Sequence, residues 1–292
     1  PLSYRFYHMK KSIEKMNRTF AGAKIEFQSK LEQAADMITD IAETFDPMPI
    51  ITITDTWFGT NGLYKPLRNQ LGQRFHMRSR RRSNNTVFQL PGPHLNRGPG
   101  RPRKYGKKLG DTSSLATRFK SLAIEYVVNL YGRDRTVVAY DRIVMLKTLK
   151  CAVRVVWIYR KTQWVALFST DLTLSVQQII EYYGARWKIE AAFKELKRDI
   201  GSAETQTRHP NAVMNHLHFC MMATSVAWIY ASRLAKTPNR RHVVKGRSHF
   251  AFSDVRRLVA QAALDDNFGI LFPVPRKSAV NSLMAVLMRM AA

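Results

Sequence analysis

The sequence predicts an α/β fold whose middle third is rich in strands and whose last third is helical. Three observations carry this. Between residues 27 and 80 an amphipathic helical pattern, a β-branched run, a short helical pattern and a second strand-like run succeed one another, the order of a parallel α/β unit. Further on, "EYVVNLYGRDRTVVAYDRIVML", "CAVRVVWIYRK" and "QWVALFST" combine β-branched and aromatic residues with turn-like breaks. From Ser175 onward the periodicity is helical.

In chain order, "FQSKLEQAADMITDIAETF" sets Leu31, Ala34, Ala35, Ile38 and Ile41 at helical spacing among polar residues, so an amphipathic helix is expected over residues 27–45. Pro47 and Pro49 end it. Ile50, Ile51, Thr52, Ile53 and Thr54 suit a buried strand, with Asp55 at its C-terminal end. "TNGLYKPLRNQLG" reads as a short helix stopped by Gly72, and "RFHMRS" as a second strand. Between Arg78 and Gly110 the pattern dissolves into Arg, Lys, Pro and Gly, the composition of a loop or ribbon that contacts phosphate. Gly132-Arg133-Asp134 and Lys161-Thr162 mark turns in the β-rich part. Ser175 and Gln178 form a capping box opening a long helix that runs to Ile200 and stops at Gly201. "FCMMATSVAWIYA", residues 219–231, is too short to span a bilayer and reads as a buried helix; no membrane partner is expected.

Charge points to the partner. The 292 residues carry 47 Lys and Arg against 21 Asp and Glu, a net +26 that repels itself and attracts polyanions, nucleic acid first and an anionic membrane surface second. The two cysteines are too few for a disulfide framework and suit a reducing cytoplasm. A first residue of proline rather than methionine suggests a fragment or a processed product.

One stretch is chemically denser than the rest. In "EYYGARWKIEAAFKELKRDIG", residues 181–201, a helical projection of about 100° per residue from Tyr183 puts Arg186 at roughly 300°, Glu190 at roughly 340° and Lys197 at roughly 320°. The four share one face beside a packing stripe of Tyr182, Ile189, Phe193, Leu196 and Ile200. Spacing alone also allows a plain surface ion pair between Arg186 and Glu190. The order Tyr, two residues, Arg, three residues, Glu, six residues, Lys resembles the signature of insertion-sequence transposases of the IS-four group in the DDE class. "STDLTLS" before it and "ITDTWFGTNGLYKPL" upstream look like that group too, the latter like the segment around its second catalytic aspartate.

The resemblance implies a ribonuclease H-like core over residues 1–79, a β-rich insertion over 80–170, and helices over 171–292 that complete the core. It implies a DNA transposase that cleaves at terminal inverted repeats and joins the freed 3′ hydroxyl to target DNA. Mg²⁺, or Mn²⁺ in its place, would neutralise charge on the transferring phosphoryl group, held by hard carboxylate oxygens. Asp55 and Glu190 would be two of those ligands, and Tyr183, Arg186 and Lys197 would contact phosphates near the cut. Duplex DNA would be the partner, a homodimer the form in the synaptic complex, and the prokaryotic nucleoid the location. Arg78, Arg80, Arg81 and Arg82 suit phosphate and groove contacts, and Arg101, Arg103 and Lys104 in "GRPRK" resemble a minor-groove hook.

Other roles for these residues stay open. Asp55 taken alone is equally a turn or capping aspartate, and Asp171 reads as a loop or cap residue rather than a metal ligand. His216 and His218 read as packing or surface residues, and Trp187 as core or a base-stacking side chain. The family's first aspartate has no counterpart, because Asp36, Asp40 and Asp46 fall on a helix or its end. On that comparison the first strands of the sheet are expected to lie outside the sequence, leaving the chain inactive. The alternatives are a DNA-binding remnant that occupies transposon ends without cutting, and a ribonuclease H-like nuclease unrelated to transposition.

Overall fold

The computed structural model describes residues 3–19, 25–92, 103–234, 238–243 and 250–263. They fall into two compact units, one ending at Arg186 and one beginning at Trp187.

The first unit opens with α1 (Lys10–Thr19) and α2 (Lys30–Thr44), the latter held at its start by a reciprocal Ser29/Glu32 capping box. β1 (Ile50–Thr54), α3 (Asn61–Leu71) and β2 (Phe75–Arg80) are the expected strand-helix-strand unit, and β1 pairs with β2 in parallel, Ile50 opposite Phe75 and Thr54 opposite Ser79. α3 ends where Gly72 takes a positive φ of 57°, a conformation that costs glycine little. It also contains Pro66, which lacks the N–H that would bond the Gly62 carbonyl.

The remaining strands join the same sheet: β3 (Thr86–Phe88), β4 (Lys108–Asp111), β5 (Ile124–Leu130), β6 (Arg133–Leu146), β7 (Cys151–Tyr159) and β8 (Trp164–Ser169). Its order is β1-β2-β8-β7-β6-β3-β4, with β5 pairing β6. β2 runs antiparallel to β8, so the sheet is mixed and passes unbroken from the α/β unit into the β-rich segment. Among the described residues β1 is an edge strand, and Ile51 on it is 40% exposed.

Both faces of this sheet are covered. Strand alternation sends Trp157 to one face and Val156 to the other. Trp157 joins Phe75, Met77, Leu63 and Leu67 with α2, α3 and α4 (Thr112–Phe119), and its indole N–H donates to the Thr112 carbonyl at 3.1 Å. Val156 joins Val128 and Leu167 under Ile179 and Ile180 of α5 (Val176–Ala185), which opens with the expected Ser175/Gln178 capping box.

Three details differ from the sequence reading. Arg80 ends β2, one residue past the expected strand, and the basic stretch expected as a loop or ribbon carries the paired strands β3 and β4 among its described residues. α4 is a helix that the sequence pattern does not announce; the Asp111 side chain starts it by accepting from the Ser114 N–H at 2.8 Å. The β5/β6 hairpin turns on Tyr131 and Gly132, one residue earlier than expected, with φ of 59° and 74°. Two left-handed residues in a two-residue loop match strand twist, but tyrosine is a poor occupant of the first position. Tyr131→Asn is expected to raise stability by about 0.5–1 kcal/mol, read as a higher urea midpoint with unchanged slope.

The second unit holds α6 (Trp187–Lys194), one π-helical turn over Glu195–Asp199, α7 (Pro210–Ser232) and α8 (Phe252–Ala263). The single helix expected over residues 181–201 is thus corrected. α5 stops at Ala185, and the Arg186 N–H bonds back to the Tyr183 carbonyl, three residues earlier, a tightened last turn. The Ile200 N–H bonds to Glu195, five residues earlier, which widens the turn that carries Lys197. A fixed 100° step does not run through either irregularity, so the one-face projection of Tyr183, Arg186, Glu190 and Lys197 does not follow from helix geometry. α7 buries one stripe, Cys220, Thr224, Ala227 and Ala231, and exposes Phe219, Met222, Val226 and Ile229; it is not buried all round. Trp187, Ile189 and Phe193 are exposed, and only Leu196 and Ile200 of the expected packing stripe are buried. No helix among the described residues is long and apolar enough to cross a membrane.

Candidate functional site

Asp55 follows the last residue of β1 and its side chain is exposed. Its Oδ1 accepts the Trp57 and Phe58 N–H groups at 2.9 and 3.0 Å, an Asx turn that fixes the carboxylate and leaves Oδ2 outside those bonds. The turning and the functional reading of Asp55 are therefore compatible. Its backbone is pinned as well: the buried Ser79 hydroxyl of β2 donates to the Asp55 carbonyl at 2.5 Å, and the Gly59 N–H donates to the same oxygen at 3.1 Å. Gly59 must be glycine for lack of room, since a Cβ there would lie 2.6 Å from the Ser79 Cβ.

Basic side chains leave the end of β2 in two directions. Arg78 is 1% exposed, with its guanidinium 4.4 Å from the centre of the Tyr182 ring on α5. Burial lowers its pKa, opposed by Asp171 and Tyr182, and its Nε and Nη2 have no hydrogen-bond partner. Arg80 and Arg82 are exposed, while Arg81 is buried. Arg103 and Lys104 are exposed beside the ribbon, and Arg101 lies outside the described residues.

Tyr183 packs half-buried against the Val128 and Ile179 core, and the Arg186 guanidinium sits 5.8 Å from its ring centre. Gly184 next to it touches the sheet, where a Cβ would come within 2.6 Å of Leu130 Cδ2. Glu190 and Lys197 are exposed on α6 and on the π turn of the second unit.

Asp171 does what a loop carboxylate does. Its Oδ1 accepts the Thr173 N–H at 3.0 Å and hydroxyl at 2.7 Å. Burial opposes its charge, but these bonds together with His76 and Arg78 prevail and hold its pKa below the usual carboxylate range. Continuing the strand register, Asp171 lies level with His76 and Asp55 level with Arg80. That places them ~10 Å apart across two strand spacings and ~13 Å apart along the strands, too far to share an ion. His216, read as packing or surface, meets the Gly201 carbonyl at 3.3 Å and the Cys220 thiol at 3.6 Å.

The chain matches the Transposase DDE domain over residues 19–226, most of its length, and belongs to that family. No curated protein matches it. Membership gives the mixed sheet and its helices a ribonuclease H-like fold and makes a DNA-processing enzyme the class of protein. Such enzymes use divalent metal, and Asp55 and Glu190 offer the hard oxygen donors it requires. Among the described residues, however, no group of three His, Cys, Asp or Glu side chains could hold an ion.

Sequence reasoning missed Ser79 and Gly59 as supports of Asp55. The "FG" after a strand-end "DTW" was the available signal, because a glycine four residues past such an aspartate reports crowding. Gly59→Ala should cost about 1–3 kcal/mol, and Ser79→Gly added to it should recover part of that loss in a double-mutant cycle. A pH effect follows from His76, whose pKa burial depresses below its ordinary 6.5. The folded state then binds fewer protons than the unfolded one, so this stability is complete above pH 6.5 and is lost as pH falls toward the depressed value. The unfolding free energy should decline over that window, and His76→Gln should flatten the decline.

Proposed function

We propose that this chain acts on duplex DNA as a transposase of the insertion-sequence IS-four group, with Tyr183, Arg186, Glu190 and Lys197 as its signature and Asp55 as its second aspartate. The observation that carries the reading is the exposed Asp55 carboxylate, anchored by the Trp57 and Phe58 amides at the end of a parallel strand, beside the arginines that end the neighbouring strand. In this reading Asp55 and Glu190 hold Mg²⁺ or Mn²⁺, which when bound supplies charge neutralisation at the phosphoryl oxygens. Arg186 and Lys197 bind the phosphates flanking the cut, Tyr183 orients Arg186, and Arg80, Arg82, Arg103 and Lys104 hold the backbone of the terminal repeat. The β-rich segment 80–170 is an insertion into the core, and two protomers pair two transposon ends.

A third carboxylate would fit beside β1, which is an edge strand among the described residues. A strand added to the free edge of β1 would lie about 4.8 Å away, which brings its end alongside Asp55. A second reading, a DNA-binding remnant that holds ends without cutting, is favoured by the incomplete ligand set among the described residues.

The test is cleavage of a plasmid carrying the element's own terminal repeats, with Mg²⁺ or Mn²⁺, alongside binding to a labelled end duplex. Asp55→Asn and Glu190→Gln should each reduce cutting by about 10²-fold or more and leave duplex affinity within a few fold. Tight binding with no cutting by the unaltered chain would establish the remnant, and cutting that survives Glu190→Gln would refute the enzyme assignment.

A further inference from the structure

At the opposite end of α3 from Gly72 lies a cleft of about 380 Å³. Its lining includes Thr56, Thr60 and Asn61 together with Arg80, Arg81 and Arg82, and no Asp or Glu lines it among the described residues. Two independent features of this cleft call for an anion.

The first is the start of α3. Thr60 occupies the N-cap position with extended backbone but its side chain accepts no capping hydrogen bond. The Leu63 and Tyr64 N–H groups are taken by the Thr60 carbonyl at 3.2 and 3.0 Å. The amides of Asn61 and Gly62 precede them and point out of the helix end, where the positive pole of the 11-residue helix lies. A helix of this length ordinarily meets that need with a Ser, Thr, Asp or Asn side chain. Here the capping residue is a threonine that does not use its hydroxyl so.

The second is Arg81. It is 6% exposed, it lines the cleft, and its Nε and Nη2 are buried with no hydrogen-bond partner. Burial pulls its pKa down to about 10, and no acidic group among the described residues offsets it, so at neutral pH the side chain is a buried cation without a counter-charge among them. Leaving such a group unsatisfied is among the most destabilising arrangements a core can contain. An anion seated between Arg81 and the helix end would answer both needs at once. The planar fork of arginine and a helix N-terminus are each suited to the tetrahedral oxygens of phosphate. Arg80 and Arg82, which also contribute to its lining, are exposed and add positive charge around it, which suits the approach of a polyanion.

We propose that this cleft is a single-phosphate pocket, which seats one phosphate of a DNA strand on the first-turn amides of α3 and the guanidinium of Arg81. The DNA source of that phosphate rests on the function proposed above, and the pocket itself does not. Thr56 follows Asp55 directly, so a strand clamped here runs past the Asp55 carboxylate. The pocket would therefore set the register of the strand, a positioning role separate from the arginines that contribute bulk charge.

Two variants of the full chain test this. Arg81→Gln removes the cation. Asn61→Asp puts a carboxylate at the first helical position, where it stabilises the helix while repelling a second anion, so a loss of binding in it cannot be ascribed to unfolding. In inorganic phosphate, against chloride of equal ionic strength, the unaltered chain should melt roughly 2–4 °C higher. Both variants should lose that shift, and Asn61→Asp should melt no lower than the unaltered chain in chloride. On a 20-base-pair duplex followed by fluorescence anisotropy, Arg81→Gln should bind about tenfold more weakly, with the slope of log K against log salt reduced by about 1. A phosphate shift that persists in both variants overturns the pocket, even where the duplex still binds and the DNA reading stands. A variant-sensitive phosphate shift with no affinity for the duplex overturns the DNA source and, with it, the function proposed above.

Discussion

The structure of the first unit depends on where β2 sits. It is the one strand that pairs in parallel with β1 and antiparallel with β8, so it joins the α/β unit to the β-rich segment. Its alternation then distributes chemistry. Phe75, Met77 and Ser79 face α3 and the Trp157 core, while Arg78 faces α5 and lies under Tyr182. The Arg81 N–H continues the ladder to the Ala166 carbonyl at 2.8 Å, so the same parity returns Arg81 to the α3 side. A slip of one residue would exchange these faces, bury the wrong side chains and release Asp55 from Ser79.

Two guanidinium groups are buried at the end of one strand, and both lack partners for two of their nitrogens. They are not equivalent. Arg78 has an aromatic ring against it and Asp171 within electrostatic reach, and its loss of solvent is partly compensated. Among the described residues Arg81 has neither, and it lines an open cleft together with the start of α3. Ordinary core design would replace such a residue with an apolar one at little loss of stability, so the presence of Arg81 points to binding rather than to folding. The same logic applies to Asp55, whose turn consumes one carboxylate oxygen and presents the other.

The second unit obeys a different constraint. Its α7 packs small residues, Cys220, Thr224, Ala227 and Ala231, against Leu196, Ile200, Phe252 and Val255, which lets helices approach closely but leaves large apolar residues on the outer face. The indole of Trp228 donates to Glu195 at 3.3 Å and stacks near Phe250 and Phe252, tying the π turn to the helices that follow. Burial raises the pKa of Glu195, opposed by that hydrogen bond. The Lys197 backbone is thereby held by packing rather than by a regular helix.

Much of this was written in the sequence. The β-branched run 50–54, the glycine stop at Gly72, the capping box at Ser175 and Gln178 and the aromatic hairpins each have a local cause, namely side-chain branching, a left-handed φ or a side chain close enough to bond its own backbone. These interactions span four residues or fewer and survive translation into structure unchanged. The acidic and basic residues that carry the chemistry were equally visible as types. What their neighbours do to them was not. Whether Arg81 points to solvent or into a cleft depends on which edge of β2 meets β8, a pairing between residues about ninety apart in sequence. The regular face drawn through Tyr183, Arg186, Glu190 and Lys197 assumed one unbroken helix, and the tightened turn at Arg186 and the π turn after Lys194 arise where packing overrides the 3.6-residue repeat. Local sequence decided which elements form, because their determinants lie within one turn. Tertiary structure alone decided which charges are buried and which are presented, because desolvation is set by everything that packs around a group.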